Sequence, residues 1–424
     1  MSKTERVLEF CIELGRRMII AGANLERVEL AMQLICRAYG FLDVSIFLLS
    51  SHISVGVMDK DGNYYSRQVN VPPAGIHLEK LKRLNRLSYT VVNEVPDPDK
   101  LPEMMEEASA AREYGRMVIL AARVAAMICL CLIFGGGIRE VAATVVITVL
   151  IEFVGRFMQR IDVNRLVSSA AIMCIATVMI MILYVTGLCS KAPVLIITIT
   201  MIFLPGIPLV NAVRNLVCDH EMNGLLQLMR VFVETAALGI GIYAAIYLFR
   251  GSMGLGDQAL NTLKDPVLLI ILSFGASVGF GMVFQIPPHD LWRAGVGGVL
   301  TRIVLIFLPG VLPYRIVYTG LAALTAALYA EFLASKRKDP STYFVYPAII
   351  PLIPGDMFFH MILGILYNNW DMALTNGAGC FVALLGMSIG FVLSSSVAHY
   401  IRKMRHEVHL NRFVPKVPTI RITK

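Results

Sequence analysis

The stretch from Val194 to Val217 decides the fold, and it reads VLIITITMIFLPGIPLVNAVRNLV. It is apolar and long enough to cross a bilayer, yet Pro205, Gly206 and Pro208 interrupt it near its middle. Because proline removes a backbone donor and clashes with the preceding turn, we expect the helix to unwind there. An unwound backbone at membrane depth is tolerated only where protein buries it or it lines a wet cavity. The break therefore predicts an enclosed site within the membrane.

A second stretch of the same design, from Pro347 to Leu366, reads PAIIPLIPGDMFFHMILGIL. It is also apolar, and it is broken at Pro351 and at the pair Pro354–Gly355. Superposing its Pro-Gly pair on the first one places Asn211 and His360 at the same position, six residues after the proline. A single proline kink commonly serves packing alone, but paired breaks in two halves of one chain point to a transport site.

The composition is that of a polytopic membrane protein. Of the 424 residues 56% are hydrophobic and 16% are charged, and the mean hydropathy is +0.67. The net charge of +8 lies largely in the last 23 residues and in loops, so we expect no nucleic-acid partner. The eight cysteines form no CxxC pair, and we expect no metal site and no cofactor. HExxH, Walker A and GxGxxG patterns do not occur, which argues against an ATP-driven pump, a membrane protease or another enzyme.

The polar residues 1–112 predict a small cytoplasmic α+β domain. Its apolar residues recur at helical spacing in some stretches and at every second position, as in strands, in others. Asp61-Gly62 marks a hairpin turn. No active site is recognisable in it, so a regulatory module, an oligomerisation module and a cytoplasmic funnel all stay open. The predicted helices are Glu5–Ile20, Leu25–Ala38 (with Asn24 as N-cap) and His77–Val95, the strands are Val44–Ser50, His52–Met58 and Tyr64–Val71, and a linker follows at Pro96–Glu107.

Ten membrane segments of roughly 20 residues follow. They fall into two groups of five, separated by an outside loop at residues 251–265. The first half, residues 113–250, holds Met117–Phe134, Ile138–Met158, Leu166–Thr186, Ala192–Val217 and Gly224–Phe249; the second, residues 266–401, holds Val267–Ile286, Leu291–Leu308, Leu312–Ala334, Tyr343–Tyr367 and Leu374–Tyr400.

The basic residues favour a cytoplasmic location for both termini. Lysine and arginine are frequent in the loops that would then be inside and in the basic tail, residues 402–424, and sparse in the outside loops. Five segments in each half then place the halves upside down to one another, which is the inverted-repeat layout of many secondary transporters.

Gly275–Gly279 matches a G-x-S-x-G pattern but lies in an apolar helix, so it predicts close helix packing, as does Gly386–Gly390.

The candidate substrate-binding residues surround the two breaks. Ionisable groups at membrane depth are costly and usually face a cavity or one another, and the helix that resumes after each break offers free N–H groups for a carboxylate. Arg302 needs a carboxylate, a carbonyl or an anionic substrate as its partner. The candidates are Pro205, Gly206, Asn211, Arg214, Gly355 and Arg302.

The candidate proton-coupling residues are four. Asp356 and His360, one turn apart, predict a carboxylate–imidazole pair that could carry a proton, although Asp356 could instead cap the helix. Glu152 and Glu234 are further candidates. Their simpler interpretation is an internal ion pair each, with Arg156 and Arg230 respectively, one turn away on the same helix.

The chain resembles the threonine/serine exporter family in its fused form. The resemblance rests on the N-terminal run from Glu13 through Ala21-Gly22-Ala23-Asn24 to Gly40, on Leu204–Arg214 and on Ile350–Gly355, in that order. It implies a bacterial inner-membrane protein with a hydrophilic N-terminal domain and ten membrane helices. It also implies threonine or serine as substrate, although split two-chain members are linked to succinate export. Asn215 stands where the resemblance leads us to expect an aspartate.

The favoured function is therefore a secondary exporter of a small metabolite that carries a carboxylate, most simply threonine or serine. The absence of a nucleotide motif makes the proton gradient the expected energy source, so the expected partners are a small-molecule substrate, protons and the lipid bilayer, with a homo-oligomer left open. The rival substrate is a C4-dicarboxylate such as succinate. More than one cation in the site would favour the dicarboxylate. A passive channel and a membrane-anchored sensor are the alternatives of another class.

Overall fold

The computed structural model describes residues 2–72, 75–111, 113–161, 163–217, 221–249, 262–337 and 339–413. Residues 251–261 of the predicted outside loop and residues 414–424 of the predicted tail lie outside these ranges.

Residues 2–111, here called the N-terminal region, combine helices with one antiparallel sheet in the order β1-β2-β3. Asp43 lies opposite Met58 in the first pairing, and His52 lies opposite Asn70 in the second. The strands occur where the alternating hydrophobicity predicts them. The elements are α1 Lys3–Ile20, α2 Leu25–Ala38, β1 Asp43–Leu49, β2 His52–Met58, β3 Tyr64–Asn70, α3 Leu78–Glu94 and α4 Leu101–Ser109.

The predicted linker Pro96–Glu107 is partly wrong, because it contains α4. Leu101 and Met105, one turn apart, are buried against the rest of the N-terminal region. Arg17 of α1 donates to Glu106 at 2.8 Å and fixes the outer face of the same helix. Tertiary contacts thus stabilise a helix whose proline-rich and acidic composition resembles that of a linker.

Eight helices within the described residues are long and apolar enough to cross a membrane. Each corresponds to one predicted membrane segment, and the last continues through the start of the predicted basic tail. The protein is therefore a polytopic helical membrane protein. The eight are α5 Arg116–Ile133, α6 Ile138–Arg160, α7 Arg165–Val185, α10 Glu221–Leu248, α11 Pro266–Val283, α12 Pro288–Phe307, α13 Arg315–Arg337 and α16 Trp370–Phe413.

The two remaining predicted segments are the broken ones. The first consists of α8, Ala192–Phe203, and α9, Gly206–Val217, which are bent by 61° at the break. Counting this bent pair as one span gives nine spans within the described residues. The second consists of α14, Thr342–Ala348, a short 3-10 turn, and α15, Gly355–Leu366.

The predicted close packing at both small-residue motifs is observed. A Cβ added to Gly279 of α11 would lie 2.8 Å from the Cβ of Ala126 in α5. A Cβ at Gly386 of α16 would collide with Thr319 in α13, and one at Gly390 with the backbone of Gly320. Helices in a membrane associate through such contacts, since lipid tails are as apolar as the side chains.

The N-terminal region is fastened to the membrane helices by a buried ionic cluster. Lys82 of α3 lies 3.1 Å from carboxylate oxygens of both Asp290 and Asp339, and neither aspartate side chain is exposed. Tyr343 donates to Asp290 at 3.0 Å. The cluster is completed by Arg86, Arg293 and Arg337.

We expect Lys82→Met to destabilise the protein by about 3 kcal/mol, because it leaves two buried carboxylates short of one cation. The measurement is the thermal unfolding of the detergent-solubilised protein. The matched control is Lys3→Met, since Lys3 pairs with Asp97 at 3.7 Å on an exposed surface and such pairs contribute less than about 1 kcal/mol. Equal unfolding temperatures of the two variants would contradict the role of the cluster.

Candidate functional site

The two breaks have the same backbone conformation. Leu204 has φ −62° and ψ 121°, and Ile353, the equivalent residue before the second Pro-Gly pair, has φ −61° and ψ 121°. Gly206 N–H donates to the Leu204 carbonyl at 2.7 Å, and Gly355 N–H donates to the Ile353 carbonyl at 2.8 Å. The sequence match between the two stretches is thus also a match of local structure.

The breaks pack directly against one another, and the glycine of each break contacts a side chain at the other. A Cβ added to Gly206 would lie 2.7 Å from Ile353 at the other break. A Cβ added to Gly355 would collide with Met201 and lie 3.5 Å from Leu204 at the first break. Each glycine therefore makes room for a side chain of the opposite half.

A cavity of about 700 Å³, here called the break cavity, adjoins this contact. Both breaks contribute to its wall, through Pro205 and Gly206 on one side and Pro351 and Ile353 on the other. Within the described residues, the backbone N–H groups of Ile207 and Asp356 have no hydrogen-bond acceptor, and both residues line the cavity. The positive ends of α9 and α15 therefore border the same space, which favours an anionic group.

Arg302 of α12 lines the break cavity and is largely withdrawn from solvent. Its Nε donates to the hydroxyl of Ser273 on α11 at 2.8 Å. Among the described residues no carboxylate lies within ion-pair distance of the guanidinium. The cation is therefore oriented by a neutral hydroxyl, with donors left over for an anion.

Asp356 also lines the break cavity, and within the described residues no N–H group donates to its carboxylate. The capping alternative for Asp356 is therefore not observed. The expected carboxylate–imidazole pair is not formed either, because His360 Nδ1 donates to the backbone carbonyl of Asp356 at 2.7 Å. The His360 ring also packs edge-on against Phe359, with 5.6 Å between ring centroids. Within the described residues the Asp356 carboxylate thus has no ion-pair partner.

Glu234 lines the break cavity, but the predicted pair with Arg230 is wrong. Glu234 pairs with Arg165, at 3.4 Å, because the start of α7 packs beside α10. The predicted pair of Glu152 with Arg156 is confirmed at 3.1 Å, and Glu152 also contacts Arg123 of α5. Two cations thus hold Glu152, and it is absent from the described wall of the break cavity.

Asn211 and Arg214 face the N-terminal region instead of the break cavity. Asn211 Nδ2 donates to the Tyr346 hydroxyl at 3.2 Å, and that hydroxyl donates to the Gly22 carbonyl at 3.1 Å. Arg214 lies 3.9 Å from Glu26 of α2. The predicted equivalence of Asn211 and His360 therefore holds for the backbone and not for the contacts of the side chains.

Three residues of the site were missed by the sequence analysis. Ser273 is one of two serines inside the strongly apolar helix α11, and only its contact with Arg302 distinguishes it. Arg165 lies one residue before the predicted membrane segment Leu166–Thr186, although it pairs with Glu234. Tyr346 directly precedes the second broken stretch, which begins at Pro347. Its position five residues before Pro351 means that a search for polar side chains within two helical turns of each break would find it.

Comparisons with known families agree with the resemblance seen in the sequence. A family model described as "Putative threonine/serine exporter" matches residues 9–249, and one described as "Threonine/Serine exporter, ThrE" matches residues 269–397. No curated protein and no solved structure matches the chain. The two matches follow one another in order and together cover most of its length. The chain therefore belongs to the threonine/serine exporter family of membrane transporters.

Proposed function

We propose that the protein is a secondary exporter of small zwitterionic amino acids, with threonine and serine as the first candidates, through the break cavity. The observation that carries the proposal is that Arg302 and Asp356 line the same cavity and that neither has an ion-pair partner among the described residues. An amino acid carries one carboxylate for the guanidinium and one ammonium for the aspartate. The family descriptions support export of a small metabolite.

The count of cations favours an amino acid over a C4-dicarboxylate. Arg165 borders the break cavity but is neutralised by Glu234. Arg214 pairs with Glu26 outside the cavity, and Arg230 lines a different one. Among the described residues that line the break cavity, one cation is then free for one carboxylate, whereas the second carboxylate of succinate would meet the negative Asp356.

The binding groups have separate roles in this proposal. Arg302 holds the substrate carboxylate together with the free N–H groups at the starts of α9 and α15, and Gly206 and Gly355 keep those helix ends close together. Ser273 orients Arg302. Asp356 receives the substrate ammonium. Asn211 and Arg214 act outside the cavity, where the N-terminal region meets the membrane helices.

We expect Arg302→Gln to raise the KM for threonine roughly 10- to 100-fold, since it removes a charge-assisted hydrogen bond. The measurement is counterflow of labelled threonine in proteoliposomes, with Arg139→Gln as the matched control, because Arg139 is exposed. Threonine methyl ester, which lacks the carboxylate, should compete poorly with labelled threonine for transport by the unmodified protein. Stronger competition by succinate than by threonine would favour the dicarboxylate instead, and saturable binding without flux would favour a sensor.

The proposed membrane layout has ten spans, with both broken segments counted, in two inverted halves at residues 113–250 and 266–401. Its support is that the third and fifth helices pack together in each half, α7 with α10 and α13 with α16. The loops on the side of the two termini carry more lysine and arginine than those on the other side, which supports cytoplasmic termini in a bacterial inner membrane. The N-terminal domain, residues 1–112, and the tail, residues 402–424, would then both be cytoplasmic, and residues 251–265 outside.

We expect a cysteine at position 264 to react with an impermeant thiol reagent in whole cells, and a cysteine at position 336 to react only after permeabilisation. Lys264→Cys and Lys336→Cys form a matched pair, because both lysines are exposed, Lys264 just before the start of α11 and Lys336 in the last turn of α13. The measurement is labelling of the purified protein after treatment of the cells. The reverse pattern would overturn the orientation.

The proposed driving force is a proton exchanged for the substrate at Asp356. A single carboxylate in the cavity can bind a proton or a substrate ammonium but not both, which couples the two movements in opposite directions. Glu234 borders the same cavity but is held by Arg165, and Glu152 is held by two arginines. His360 is bound to the main chain, so it ranks below Asp356 as the coupling group.

We expect Asp356→Asn to retain part of the threonine exchange and to lose its acceleration by a pH gradient, because an amide cannot take up the proton. The measurement compares exchange with and without an imposed gradient in proteoliposomes, and Glu152→Gln is the control. If the gradient still accelerates Asp356→Asn, the coupling group must be sought at Glu234 or His360. Flux in the unmodified protein that ignores the gradient would indicate a passive channel.

A further inference from the structure

A second, smaller cavity of about 150 Å³ lies between the N-terminal region and the membrane helices. We call it the junction cavity. The N-terminal region contributes the loop Gly22–Asn24 and the segment Gly75–Ile76, and the membrane helices contribute residues of α9, α10 and α14. Its wall therefore exists only where the two parts of the chain meet.

The junction cavity has a polar wall that is already organised. Asn211 Nδ2 donates to the hydroxyl of Tyr346, which donates to the Gly22 carbonyl. Asn215 Nδ2 donates to Gln227 Oε1 at 3.1 Å, so the asparagine that replaces the expected aspartate completes a neutral amide pair. These contacts fix the orientation of polar side chains on α9, α10 and α14 in the absence of a bound solute.

The wall of the junction cavity also carries the polar side chain of Asn24. Asn24 occupies the N-cap position of α2, as predicted, but its side chain makes no capping hydrogen bond. Within the described residues its amide has no other hydrogen-bond partner, and it lines the junction cavity. A side-chain amide offers both a donor and an acceptor, which suits a solute that carries a hydroxyl or a carboxylate.

The junction cavity is continuous in its wall with the break cavity. Ile207, Pro208, Arg165 and Glu234 border both, as does the segment Gly75–Ile76. The ion pair of Arg165 and Glu234 therefore stands at the boundary between them.

We propose that the junction cavity is a second binding station for the exported amino acid, with Asn24 as a ligand from the N-terminal region. The inference rests on the proposed function, because it names a further site on the same route. Arg230 on this wall offers a cation for the substrate carboxylate, and the amides match a hydroxyl side chain. The volume equals that of about five water molecules, which restricts the station to small amino acids.

The test uses a cysteine reporter at this station. We expect threonine to slow the alkylation of Asn24→Cys by a small thiol reagent at least threefold, as read at that position by mass spectrometry. Asn93→Cys is the matched control, because Asn93 is an exposed asparagine of the same region that lines neither cavity, and its alkylation should not change. Ala23→Cys, on the same wall, serves as a second reporter if the first variant does not fold.

Combining Asn24→Cys with Arg302→Gln tests whether the protection comes from threonine bound in the junction cavity itself. The alternative is that threonine bound in the break cavity protects the cysteine indirectly, through a conformational change. Protection of the cysteine at position 24 should persist in this double variant, because the station binds independently. Loss of protection there would overturn the inference. In transport assays we expect Asn24→Leu to raise the KM for threonine roughly 3- to 10-fold against Asn93→Leu, by loss of hydrogen bonding.

Failure of the inference and failure of the proposed function give different results. If the unmodified protein transports threonine but the Asn24 and Asn93 variants behave alike in labelling and in KM, the second station is wrong and the exporter stands. If the unmodified protein neither transports threonine nor shows threonine-dependent protection at position 24, the proposed function fails and the station with it.

Discussion

The structure depends on enclosing unwound backbone at membrane depth. Hydrocarbon supplies no partners for free N–H and C=O groups, so a break such as Leu204–Gly206 must be covered by protein or by a wet cavity. Here each break is covered by the other, with Gly206 against Ile353 and Gly355 against Leu204. This mutual packing brings the two helix starts to one cavity, and the polar chemistry of the protein is arranged around that cavity.

The charges around the break cavity fall into two classes. Glu234 and Glu152 are held by arginines of neighbouring helices, so they contribute little net charge to their surroundings. Arg302 and Asp356 line the cavity without such partners in the described part of the chain. Isolated charges in a membrane are costly, and the proposed amino-acid substrate would supply a carboxylate to Arg302 and an ammonium to Asp356.

The N-terminal region is integrated into the membrane part by more than surface contact. Lys82 enters a buried cluster with Asp290 and Asp339, and Tyr346 accepts from Asn211 while it donates to Gly22. The first contact fixes the position of the region, and the second connects it to the helix that follows the first break. Both contacts join the N-terminal region to residues of the membrane helices.

The sequence by itself determined that the chain is a polytopic helical membrane protein, and it located the eight long apolar helices and the strands of the N-terminal region, because hydrophobic period and length encode these locally. It also located both breaks, since proline and glycine act on their own backbone. Tertiary structure alone decided the partners of the charged residues. Glu234 binds Arg165 instead of Arg230, His360 binds a carbonyl instead of the Asp356 carboxylate, and Asn211 turns away from the break cavity. Spacing along one helix cannot reveal such choices, because the competing partner comes from a different helix.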